Sequence, residues 1–192
     1  MNRLALSKLI AIVVGIICIF FAYNHNKSAT YQISGPIYGT YWKLVSTEYI
    51  PDKLQKSIED ELARIDYIAS NYKKSSEISK INEALISINI PISSEMYFIL
   101  SFAESLNNIT DGFYDVTLGS LVIEKGFGPP SAMVANTVPI SKKRYDFISN
   151  NTIIKNDNFQ FDLSSIAKGY AVDAISQLLI DANRNNYVID IG

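Results

Sequence analysis

An α+β fold is predicted by three observations: strands and helices mix along the chain, no regular βαβ repeat organises them, and three long segments carry clear helical periodicity. Of the 192 residues 48% are apolar, and the formal net charge is −2. That composition suits a globular domain and supplies no basic surface for nucleic acid. Twelve Tyr and nine Phe accompany a single Trp, Trp42; tyrosine at this frequency serves half-buried packing first and stacking second. Cys18 is the one cysteine, so no intramolecular disulfide forms, which leaves the redox compartment open.

The elements follow in order. Arg3 and Lys8 precede an apolar run from Leu9 to Tyr23, and polar Asn24-His25-Asn26-Lys27-Ser28 follows. The pattern has a charged start and an apolar centre but no clean small-x-small cleavage site, and Ile17 does not suit a lipobox ahead of Cys18. Residues 1–30 are therefore expected to be an uncleaved signal anchor and linker, with Lys and Arg on the cytoplasmic side, Cys18 facing lipid and His25 solvated. Residues 41–47 alternate as a strand. Pro51-Asp52 opens a helix with Leu54, Ile58, Leu62, Ile65 and Ala69 on one face and Lys, Glu and Asp on the other. Residues 72–80 are polar and read as loop, with Ser76, Glu77 and Ser79 as a loop and helix cap. Residues 86–92 read as a short strand, where Pro91 favours an edge or an end. A second helix over 93–108 buries Met96, Ile99, Leu100, Ala103 and Leu106, and Asn107-Asn108 with Asp111-Gly112 ends it by turn chemistry. Residues 124–140 hold Gly126, Gly128, Pro129, Pro130 and Pro139 and read as a surface lid or loop. Residues 152–155 and 159–163 flank Asn156-Asp157-Asn158 as a hairpin. A last helix spans 166–181, and residues 187–192 read as a buried strand entering a turn.

The stretch from Asp162 to Asp173 carries the chemistry. Phe159-Gln160-Phe161 alternates like a strand, and Ile166, Ala167, Tyr170, Ala171, Ala174, Ile175, Leu178 and Leu179 then recur at helical spacing. Asp162 or Ser164 caps a helix whose first N–H groups have no partner inside it. Those donors and the positive dipole end suit an anion, Lys168 in the first turn adds a mobile charge, and Gly169 leaves room for close approach. Taken alone, the segment also reads as an ordinary capped helix with a solvated lysine.

Five blocks, in order, extend the reading: Ile37-Tyr38-Gly39-Thr40; Ser70-Asn71-Tyr72 with Ser76-Glu77-Ile78-Ser79-Lys80-Ile81-Asn82; Thr110 to Gly119; Gly126-Phe127-Gly128; and Asp162 to Asp173. On these blocks the chain resembles the ApbE family, the FAD:protein FMN transferases, from about Ile37 to Gly192. The resemblance implies an ApbE-like mixed sheet flanked by helices, with residues 31–192 as the N-terminal portion of a domain that runs further in the family. It implies that Tyr38, Tyr72, Phe113, Tyr114, Asp115, Asp162 and Lys168 contact FAD, and that Mg²⁺ takes the main-chain carbonyl of Ser165. The implied reaction passes FMN from FAD to a Thr or Ser hydroxyl on a target protein, with AMP leaving. The implied partner is a subunit of a membrane electron-transfer complex, and the implied location is the bacterial inner membrane, with the domain facing the periplasm or cell exterior. A non-catalytic flavin-binding remnant and a metal-dependent FAD pyrophosphatase are the alternatives.

Plain readings stand beside these. Tyr38 also fits core packing after a strand turn, Asp115 a turn-capping residue, and Asp173 a solvated or paired structural position. Several positions depart from the family pattern: Tyr38 stands for Met, Asp111 for Gly, Val116 for Pro and Lys125 for Trp. Phe113 stands for Ala and is expected to crowd the site.

Overall fold

The computed structural model describes residues 3–25, 30–128 and 143–192. In chain order the elements are α1 (Arg3–His25), β1 (Tyr31–Ile37), β2 (Thr40–Ser46), α2 (Asp52–Ala69), α3 (Glu77–Glu83), β3 (Asn89–Pro91) and α4 (Ser94–Ile109). They continue with α5 (Gly119–Glu124), β4 (Tyr145–Ser149), β5 (Thr152–Lys155), α6 (Ser164–Asp181) and β6 (Tyr187–Ile191).

β1 and β2 form a tight hairpin whose ladder runs from Tyr31↔Ser46 to Ile37↔Thr40. Its two-residue turn is Tyr38-Gly39, with φ of 50° and 74°. Positive φ at both positions matches the right-handed twist of the flanking strands, so the turn holds them in register. β6 pairs antiparallel with the other side of β2, and the sheet order is β1-β2-β6. Trp42 and Leu44 point inward while Tyr41 and Lys43 stay exposed. α2 covers this face with Ile58, Leu62 and Ile65, and the carboxyl half of α6 adds Ala171, Ile175 and Leu179.

A second antiparallel sheet has the order β3-β5-β4. Its core joins Ile90 and Ile153 with Ile78 and Ile81 of α3, Met96, Ile99, Leu100 and Ala103 of α4, and the loop rings Phe159 and Phe161. Ile166 and Ala167, from the first turn of α6, complete it. One helix thus enters both cores, amino end in one and carboxyl end in the other.

Several expectations change. Among the described residues the strands of the expected mixed sheet form two antiparallel sheets of three strands each. The hairpin expected around Asn156-Asp157-Asn158 lies elsewhere: 152–155 pairs with 145–149 across Asn150-Asn151. The Asn156 N–H still donates to the Arg144 carbonyl at 2.7 Å, so the chain leaves the ladder only after Asn156. The polar 72–80 segment contains the start of α3, because the Ser76 hydroxyl accepts the Ser79 N–H and Ile78 and Ile81 go into the core. β3 is shorter than the strand expected over 86–92, since Ser87 takes a φ of 62°. β6 is half-exposed, with Val188 68% accessible. Of the 124–140 segment, residues 129–140 lie outside the described residues, and Gly126 turns the exit of α5 at a φ of 86°.

α1 leaves Ile12, Ile16, Ile19, Phe20 and Phe21 exposed, and Cys18 is exposed as well. Among the described residues no helix is long and apolar enough to cross a membrane. The side chain of His25 lies outside the description.

Candidate functional site

Between the two cores, the amino end of α6 opens on a cleft of about 1140 Å³. Ordinary small-molecule sites span roughly 300–1,000 Å³, so this one has room for a dinucleotide. Its walls are the Tyr38-Gly39 turn, the end of α2 with its exit loop, part of α3, the α5 region with Phe127, and the approach to α6.

The approach to α6 is held from two sides, by residues 116–119 and by α3. The Asp162 N–H donates to the Val116 carbonyl at 2.7 Å, and the Gly119 N–H donates to the Gln160 carbonyl at 2.9 Å. A parallel bridge between Leu118 and Gln160 ties the same two segments. From α3, the Asn82 amide makes both hydrogen bonds of a strand neighbour: its Nδ2 donates to Phe161 O at 3.0 Å and its Oδ1 accepts the Phe161 N–H at 2.7 Å.

Of the two expected caps, Asp162 is the one whose side chain meets the helix end, from one residue before the capping position. Leu163 occupies the capping position and no side chain there closes the helix. The Asp162 carboxylate instead accepts the Ser164 N–H at 2.8 Å and the Asn71 Nδ2 at 3.1 Å. Asn71 lines the cleft, and its Oδ1 is buried without a hydrogen-bond partner among the described residues.

Residues from all five family blocks come together here. Tyr38, Tyr72, Asp162 and Lys168 line the cleft, and Ser164 joins them from the first turn of α6. The Lys168 ammonium donates to the carbonyl of Gly192. The Tyr38 hydroxyl donates to the Leu62 carbonyl at 3.3 Å, and burial first, then the carboxylates of Asp66 and Glu61, push its ionisation well above the ordinary tyrosine value. Tyr72 is exposed, and its hydroxyl donates to the Phe127 carbonyl at 2.8 Å, joining two walls of the cleft.

Phe113, Tyr114, Asp115 and Ser165 do not line the cleft. Phe113 is 96% exposed, so the crowding expected of it does not arise. Tyr114 reaches the amino end of α6 from the other side, with its hydroxyl 3.0 Å from that of Ser165. Burial raises its pKa; the Ser165 hydrogen bond acts against this and the nearby Asp162 charge adds to it. Asp115 adopts its plain reading: its carboxylate accepts the Thr117 N–H at 2.8 Å and the Thr117 hydroxyl at 2.7 Å. Asp173 is exposed on the outer face of α6.

Asp66 and Lys73 are cleft residues that sequence reasoning missed. The helical pattern assigned the acidic residues of α2 to its outer face, yet Asp66 is 4% exposed. A signal existed: Asp66 stands four residues after Leu62 and eight after Ile58, in the apolar row.

The ApbE family model matches residues 38–192. A protein of Vibrio cholerae named FAD:protein FMN transferase is 32% identical over 174 residues, covering 84% of this chain and 52% of its own length. One of the same name from Buchnera aphidicola is 30% identical over 191 residues, covering 91% and 56%. The solved structure of the flavin transferase ApbE from Vibrio cholerae superposes with a TM-score of 0.76 at 29% identity, covering 85% of this chain and 57% of its own. The chain spans about half the length of the curated relatives it matches. The matched stretch begins at the hairpin-turn tyrosine and takes in every wall of the cleft, and the chain belongs to the ApbE family.

Proposed function

We propose that the cleft binds FAD and that the chain serves transfer of FMN from FAD to a threonine or serine hydroxyl of an acceptor flavoprotein. The observation that carries this is the open cleft at the amino end of α6, bordered by Lys168 and Ser164 in a member of the ApbE family. Helix-end N–H groups and a lysine suit a diphosphate, and Tyr38 and Tyr72 supply aromatic wall for the ring systems.

In the reaction the acceptor oxygen attacks the FMN-side phosphorus, the bond to the AMP phosphate breaks, AMP leaves, and the hydroxyl proton passes to solvent or a base. Lys168 would offset phosphate charge, and the rigid support of residues 160–162 would hold the diphosphate in line. The resemblance assigns Mg²⁺ to the main-chain carbonyl of Ser165, in the first turn of α6. No group of three His, Cys, Asp or Glu comes together among the described residues; a magnesium ion at a diphosphate is ordinarily held by one or two protein oxygens together with substrate phosphates and water.

Membrane seating through α1 belongs to the same proposal. Its support is the row of apolar side chains that α1 leaves exposed, with Arg3 and Lys8 preceding them in sequence. The acceptor would then be a subunit of a membrane electron-transfer complex on the periplasmic or outer side of the bacterial inner membrane.

The test is incubation of the purified chain with FAD and a flavin-acceptor domain, with and without Mg²⁺. In-gel flavin fluorescence on the acceptor supports transfer. Release of AMP and free FMN supports a pyrophosphatase instead, and FAD bound without turnover supports a non-catalytic module.

A further inference from the structure

Asp66 lies in the last turn of α2 and is 4% exposed. A carboxylate is almost never buried so far without a partner. Its partner is the ammonium of Lys73, whose side chain remains 52% exposed. Both ends of the pair are fixed by backbone: the Ser70 N–H donates to the Asp66 carbonyl at 3.1 Å, and the Ser76 N–H donates to the Lys73 carbonyl at 2.9 Å. Asp66 and Lys73 border the main cleft and also an adjoining recess of about 430 Å³ beside the Tyr38-Gly39 turn.

A pair with one exposed member adds little stability. Its physical effect is on position. A lysine ammonium on a flexible four-carbon stem samples many rotamers, and a buried carboxylate removes that freedom. One ammonium proton faces Asp66, which leaves two donors for oxygens in the cleft. Lys168 stands on the wall built by α6, whereas Lys73 stands on the wall built by the exit of α2.

We infer that Lys73 is a second diphosphate-binding cation of the cleft and that Asp66 is the positioning residue that sets it. The inference rests on the FAD reading above and goes beyond it by assigning an anion contact on the α2 side.

The test uses the full chain and two probes, FAD and riboflavin, which share the ring system, FAD alone carrying the diphosphate and adenosine. The variant Asp66→Asn/Lys73→Met removes both charges, so no buried charge is stranded. It is expected to weaken FAD about tenfold, the effect of one charged hydrogen bond, with riboflavin affinity unchanged and a shallower salt dependence. Asp66→Asn alone keeps the lysine and should weaken FAD several-fold, again sparing riboflavin; Lys73→Arg should bind FAD within about twofold of the parent. An unchanged ratio of FAD to riboflavin affinity in the double variant would overturn the inference while leaving the flavin reading intact. A parent chain that binds neither probe would remove both.

Discussion

Lys168 and Tyr145 show how single groups report on the cleft and on the core. Lys168 lines the cleft and makes its hydrogen bond to the Gly192 carbonyl rather than to a buried acid. Lys168→Ala is therefore expected to weaken FAD binding about tenfold with little change in melting temperature, read by titration and calorimetry on the same sample. Equal affinity would take Lys168 out of the site. Tyr145 is 5% exposed, and burial, then the charges of Glu104 and Asp115, raise its pKa far above the ordinary 10.0. The neutral phenol is the form the folded state favours, so its contribution is intact below about pH 10 and is lost as pH rises beyond that value. Each such phenol removes about 1.4 kcal/mol per pH unit in that range. Tyr38 is raised as well, so Tyr145→Phe should reduce the alkaline loss without abolishing it, measured by urea unfolding between pH 8 and 11.

At the scale of elements, the contact between the α5 start and the approach to α6 decides whether the cleft keeps its shape. A Cβ added at Gly119 would lie 2.6 Å from the Gln160 carbonyl oxygen and 3.0 Å from the Gln160 and Phe161 carbonyl carbons. All three are backbone atoms held by the Leu118↔Gln160 bridge, so they cannot rotate aside as a side chain would. Gly119→Ala should cost about 1–3 kcal/mol, visible as a lower urea midpoint, and should weaken FAD because the wall carrying Asp162 moves. The Tyr38-Gly39 turn has the opposite character: a Cβ at Gly39 meets nothing within 4 Å, and the demand there is a φ of 74°. One glycine answers to packing, the other to backbone conformation.

Across the whole molecule, α6 couples two cores, and the cleft opens where it passes from one to the other. Ile166 and Ala167 pack with the β3-β5-β4 layer, and Ala171, Ile175 and Leu179 pack with the β1-β2-β6 layer. Tyr170, at the crossover, touches both. A ligand seated there contacts both halves and should stabilise them together. FAD at one hundred times its dissociation constant is expected to add about 2.7 kcal/mol, or roughly 5–10 °C in melting temperature for a chain of this size, by calorimetry. No shift at saturating FAD would argue against binding in the native cleft. Local pattern was enough to determine α2, α4, α6 and the β2 strand, because helical spacing, Pro51 and the Asp111-Gly112 turn act between near neighbours. The ordered blocks were enough for the family and for Tyr38, Tyr72, Asp162 and Lys168 as cleft residues. Tertiary structure alone decided that 145–149 rather than 159–163 pairs with β5, that Phe113 faces solvent, and that Asp66 turns inward to hold Lys73. Those outcomes depend on which distant surfaces meet, and a carboxylate in an apolar row looks the same on paper whether its partner is water or a lysine seven residues on.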